Sequence, residues 1–182
     1  ADVEAQNGVV HVIDAVLLPP ADPTEGDVIV NEVSACSQTV ELKNIGDSDV
    51  DISEWQLCNF PAYAQIGGSS VTVVSGDLML SPNEIVVLGW DNIEIEAGEI
   101  GLYRSGPFAN AANIRDYVQY GSGDNGRAIV AVEAGVWDNV TSFVELPSCD
   151  GDNTISVDNT LSPTSASETN SGSWCSTAGS LG

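Results

Sequence analysis

The chain has 182 residues, 42% of them apolar, and carries 27 acidic side chains against four basic ones (Lys43, Arg104, Arg115, Arg127), for a formal charge of −23. That length holds one ordinary domain with appendages, and the apolar share is enough for a packed core. The charge excludes nucleic acid and anionic membranes as partners and suits cations, high salt or a need for solubility.

At seawater-like ionic strength the screening length is only a few ångströms, so self-repulsion largely disappears. The acid excess with almost no lysine therefore points to a marine or halophilic source. No stretch reaches the roughly 18 apolar residues of a membrane helix, so no membrane insertion is expected.

Residues 1–20 are dominated by one apolar run, NGVVHVIDAVLLPP at 7–20. It reads as a single buried β-strand closed by Pro19 and Pro20. Val10, Val12, Val16 and Leu18 form one face, and Val9, Ile13, Ala15 and Leu17 the other. Only six residues precede it, and the double proline bars a tight hairpin with the next segment. The expectation is an orphan strand whose partners come from another molecule or from missing parts of its domain. No signal peptide is visible, and the N-terminus looks like a processed one.

Residues 21–26 continue from Pro19-Pro20 as a stiff proline-rich linker. From there to 149, short β segments alternate with turn clusters. Strands are expected at 27–34, 39–44, 55–60, 70–74, 85–89, 100–104, 114–120, 128–132 and 142–146. Such spacing argues for an all-β sandwich. Val40 and Leu42 should face its core, Glu41 and Lys43 should form an exposed ion pair, and Trp55 should anchor the interior. Residues 150–182 turn to serine, threonine, asparagine and glycine, which predicts an irregular tail pinned back by Trp174 and Cys175.

The four cysteines lack metal spacing, and the chain has one histidine, His11. Two disulfides are expected, Cys36–Cys58 and Cys149–Cys175 being favoured among three connectivities. They imply an oxidising, extracellular or cell-surface location.

Asp47, Asp49 and Asp51 have the alternating carboxylates of a calcium loop. Ile52 at the sixth place and Cys58 at the twelfth rule out an EF-hand. Asp150 and Asp152 form a second oxygen-rich turn. Solvated acidic turns are the preferred reading and no cofactor is expected, Ca²⁺ at millimolar concentration being the alternative.

GSGDNG at 121–126 fits G-x-G-x-x-G, but the expected strand after it leaves no helix N-terminus for a pyrophosphate. The lone histidine lies outside the main domain, so that domain cannot hold a Ser-His-Asp triad. Carboxylates are too numerous to single out a glycosidase pair. Asn139-Val-Thr141 matches a glycosylation sequon by pattern. No catalytic residue is assigned.

Several pieces in order resemble a lamin-tail domain: IVNEV at 29–33, TVELKN at 39–44, Gly46 and VDISEWQL at 50–57. SPNE at 81–84 leads into IVVL at 85–88, with Asn83 where that family usually has glycine. GEIGLY at 98–103 and IRDYVQYG at 114–121 come next. The resemblance spans about residues 27–121, and TLSPT at 160–164 with Asn170 resembles a closing motif that would extend it to about 170. It implies the immunoglobulin-like sandwich. NGVVHVIDAVLLP at 7–19 resembles the last strand of a fasciclin domain, which implies cell-surface adhesion and makes His11 a structural strand residue.

Two functions are expected from these readings. One is an extracellular, non-catalytic structural subunit that polymerises head to tail, each N-terminal strand completing a neighbouring copy's sheet. The other is a surface-, glycan- or partner-binding module at the end of a larger adhesin or secreted enzyme.

Overall fold

A computed structural model describes residues 2–5, 8–11, 28–146, 153–158, 163 and 166–178. The strands in chain order begin with β1 (Asp2–Ala5), β2 (Gly8–His11), β3 (Val28–Ser34), β4 (Thr39–Asn44), β5 (Val50–Asp51), β6 (Gln56–Asn59) and β7 (Ala62–Gln65). They continue with β8 (Thr72–Ser75), β9 (Met79–Leu80), β10 (Ile85–Gly89), β11 (Gly98–Tyr103) and β12 (Ile114–Tyr120). A short helix α1 (Ala128–Ala134) precedes β13 (Asn153–Val157) and β14 (Trp174–Ala178).

The fold is an all-β sandwich of immunoglobulin-like type. One sheet has six strands in the order β14-β13-β3-β4-β10-β8, and the other has four in the order β12-β11-β6-β7. Every pairing within them is antiparallel. A single core cluster draws on both sheets: Val30, Val40, Leu42 and Leu88 from the larger, Leu57, Ile100, Leu102 and Val118 from the smaller. Each such side chain contributes about 1.5–3 kcal/mol when fully buried. Trp55 joins this core as expected. β5 and β9 form a two-stranded clip beside it.

β3 and β4 form a hairpin whose register shifts between Val30 and Glu32, leaving Asn31 as a bulge. Glu41 is buried rather than exposed, and Asn31 Nδ2 donates to its Oε1 over 2.7 Å. Strands β4 and β11 are covered on both faces, so polar Glu41, Asn44 and Glu99 are buried along with their apolar neighbours.

Three expectations change. First, Gly8–His11 is not an orphan strand: it pairs antiparallel with Asp2–Ala5, Ala5 opposite Gly8 and Asp2 opposite His11. Only two residues separate these strands in sequence, so the few preceding residues suffice for a partner. Second, 128–134 is helical, not a strand. Val and Ile favour strands intrinsically, but Ala128, Val130 and Ala131 bury one face and Gly135 closes the helix. At φ 76°, Gly135 donates its N–H to Ala131 O and Val132 O. Third, the tail is partly regular. β13 pairs with β3 through Ile155–Val33 and Ser156–Glu32, and β14 pairs with β13 from Asn153–Ala178 to Val157–Trp174. The expected strand at 142–146 reduces to a single bridge between Tyr120 and Val144.

Candidate functional site

The chemically richest region lies on the face of the four-stranded sheet opposite core residues Ile100 and Leu102. β6 presents Cys58, β7 Tyr63, β11 Glu99 and Tyr103, and β12 Tyr117, and the loop after β12 delivers Arg127. Glu99 is buried and organises the neighbourhood. Its carboxylate accepts from Tyr117 Oη (2.6 Å), Phe60 N–H (3.2 Å) and Arg127 N–H (3.0 and 3.2 Å). Its own N–H donates to Asn59 Oδ1 over 3.1 Å. Burial pushes this carboxyl above the usual range, and the donors pull it back. The acid thus ties the 59–61 turn and the 121–127 loop to the sheet.

Arg127 covers this face. Its Nε donates to Tyr63 Oη at 2.9 Å, and Nη2 donates to the same oxygen. The guanidinium carbon lies 4.9 Å from the Phe60 ring centroid and 5.6 Å from that of Tyr63. On such rings a cation is held by the quadrupole as well as by hydrogen bonds. Tyr63 stacks on Phe108 at 4.0 Å, and Phe108 meets Tyr103 edge-on at 5.2 Å. Phe60 is 48% exposed and Ile129, two residues after Arg127, 54% exposed. Half-exposed arginine among aromatics is the composition of a recognition surface.

Cys58 is a buried free thiol beneath this patch. Burial, with Glu99 nearby, pushes its pKa up to about 12, so it stays protonated and inert. Tyr117 Oη donates to Glu99, but burial pushes this phenol up, so it stays protonated. Asp47, Asp49 and Asp51 are all exposed, and the Ser53 N–H donating to Asp51 Oδ1 (2.9 Å) holds Asp51 below the usual carboxylate range. Among the described residues no group of three acidic, histidine or cysteine side chains converges on a metal position. Asp150 and Asp152 lie outside the described residues.

A second buried acid, Asp116 on β12, joins the two sheets. Its Oδ2 accepts from Val30 N–H (2.7 Å), beside the β3 bulge, and its Oδ1 from Tyr117 N–H (2.8 Å) and Thr169 Oγ1 (3.0 Å). Complete burial pushes its pKa up to about 8 against these three donors. Thr169 comes from the tail, which Ser171 further fastens by donating from N and Oγ to Asp138 at 3.2 and 3.0 Å.

The expected cysteine pairing fails. Cys36 is disulfide-bonded, but Cys58 and Cys175 are free thiols, so neither is its partner. Cys36 occupies the turn between β3 and β4 of the larger sheet, and Cys58 sits on β6 of the smaller. The chain changes sheets between them, so nearness in sequence does not become contact. Cys149 lies outside the described residues. The tail is instead held by its strands, by Thr169 and Ser171, and by buried Trp174.

The glycine-rich loop does precede a helix, yet its glycines serve packing. A Cβ at Gly123 would stand 2.4 Å from Thr141 O, and one at Gly126 2.3 Å from Phe60 Cδ1. Of the expected assembly residues, Val9 and Val10 lie on β2, while Val12, Ile13, Val16, Leu17 and Leu18 lie outside the described residues. Sequence reasoning missed Glu99, Asp116 and Arg127. The available signal was one carboxylate inside each apolar strand, GEIGLY and IRDYVQY.

No family model matches the chain, and no curated protein matches it. The archaellum periplasmic stator protein complex of FlaF and FlaG from Sulfolobus acidocaldarius shows 13% identity over 50% of this chain and 90% of that one, with a TM-score of 0.27. The ASH/PapD-like domain 7 of human CEP192 shows 14% identity over 52% of this chain and 80% of that one, with a TM-score of 0.18. Likenesses this slight carry no argument, and the lamin-tail and fasciclin resemblances stand on their motifs alone.

Proposed function

We propose that this chain is a non-catalytic structural module of the extracellular space or cell surface. It assembles by adding the apolar N-terminal segment of a neighbouring copy to a bare sheet edge. The observation that carries this reading is β8. It closes one end of the six-stranded sheet, and among the described residues its sole strand neighbour there is β10. All four of its residues are exposed, Val73 at 41% and Val74 at 60%. The stretch 67–76 carries no charge, on a chain of net −23. Bare edges are usually guarded by lysine, proline or inward charges, and this one is not. An added strand would satisfy its free main-chain groups and cover the valines.

The Cys36 disulfide supports an oxidising compartment. No helix among the described residues is long and apolar enough to cross a membrane. The buried acids are occupied in holding main-chain groups, which supports a role without catalysis and without a required cofactor.

Electron microscopy of the full chain, of a variant lacking residues 1–18 and of Val74→Lys tests this. Filaments should form from the first and vanish in both variants. Dispersed monomers from the full chain, or filaments from Val74→Lys, would overturn the reading.

A further inference from the structure

We propose that the Phe60–Arg127 patch is a second self-contact, docking the Glu94–Ile95–Glu96 loop of another copy across a two-fold axis. Nε and Nη2 of Arg127 are turned inward onto Tyr63 Oη. Among the described residues no ion pair to the guanidinium forms, and its Nη1 edge remains for a carboxylate. Such end-on pairing is a strong charge-assisted contact. The exposed Phe60 and Ile129 add apolar area beside the charge.

The occupant is chosen by complementarity. Ile95 is 49% exposed and flanked by exposed Glu94 and Glu96. The three residues rim an open hollow of about 360 Å³, with Gln38, Asp91, Ile93 and Ala97. An apolar side chain between two carboxylates matches a cation set among exposed apolar groups. A sugar fits the patch less well. Phe108 stacks on one face of Tyr63, and Arg127 lies over Phe60, so the rings offer little free face.

Patch and loop also share one end of the molecule. Asn59 Nδ2 donates to Asn92 O (2.6 Å), Tyr120 Oη to Glu94 O (2.9 Å) and Asn125 Nδ2 to Gly98 O (3.4 Å). Two copies meeting at this end can therefore make the contact twice, patch to loop and loop to patch. Such an isologous contact closes at the dimer, unlike strand addition at β8.

Analytical ultracentrifugation of the full chain carrying Val74→Lys separates this contact from sheet-edge assembly. Dimers are expected. Arg127→Glu and Ile95→Asp should each weaken dimerisation at least tenfold. Combining Arg127→Glu with Glu94→Arg and Glu96→Arg should restore it. Ile95 is exposed, so its variant keeps the test valid if Arg127→Glu fails to fold. Monomers at every concentration, as expected if some other carboxylate-bearing partner uses the patch, would overturn the proposal. So would dimers indifferent to Ile95→Asp.

Discussion

The two flanks of the six-stranded sheet are treated in opposite ways. Beyond β3 the chain adds two strands of its own, β13 and β14, and fastens them with Trp174, Thr169 and Ser171. Beyond β10 it adds only β8, four exposed residues including two valines. β14 is itself an outermost strand, as β8 is, but β13 and β14 cover β3 and are anchored by buried Trp174, so that covered flank belongs to the stability of the fold. The bare flank contributes little to it, and among the described residues no further strand lies beside β8.

The largest break in this contrast should come from the covered flank. Trp174→Ala removes a buried indole and should cost about 3–5 kcal/mol in denaturant unfolding. A loss below about 1 kcal/mol would show that β14 is not part of the cooperative unit.

Asp116 gives a second, pH-resolved test. Its folded pKa of about 8 lies above its ordinary value of 3.8. Below pH 4 both states hold the proton and the stabilising share is complete. As pH rises the unfolded chain ionises first, so stability falls until the folded carboxyl also ionises near pH 8. Asp116→Asn should flatten the slope of unfolding free energy between those limits. An unchanged slope would mean that the three donors keep Asp116 ionised throughout.

The smallest effect belongs to the bare flank. Val74→Lys should alter unfolding free energy by no more than about 0.5 kcal/mol. A large loss there would make β8 structural and erase the contrast.

Much of this architecture is visible in the residues. The runs at 28–34, 39–44, 85–89, 98–103 and 114–120 are rich in β-branched and aromatic side chains between turn clusters, and each is a strand. The helix at 128–134 escaped because Ile129, Val130 and Val132 speak for strands, although Gly135 was available as a stop signal. The tail strands escaped because serine and threonine make a segment look like loop, although threonine favours strands and Ile155, Val157 and Trp174 supply apolar anchors. The Phe60–Arg127 patch was hardest. Phe60, Tyr63, Phe108 and Arg127 come from three connections and one strand, and only pairing of β6 with β7 and β11 brings them together. The cysteines show the same limit, since the nearest pair in sequence lies on different sheets.

The covered flank also sets an order of events. Ile155 meets Val33 across 122 positions of sequence, and Thr169 reaches Asp116 across 53. Closures this distant are entropically costly and slow. A nascent chain that has emerged only as far as β12 therefore still lacks the strand that covers β3 and one of Asp116's three donors. Completion of the sandwich waits on its last strands, and until they dock one edge of β3 stays open.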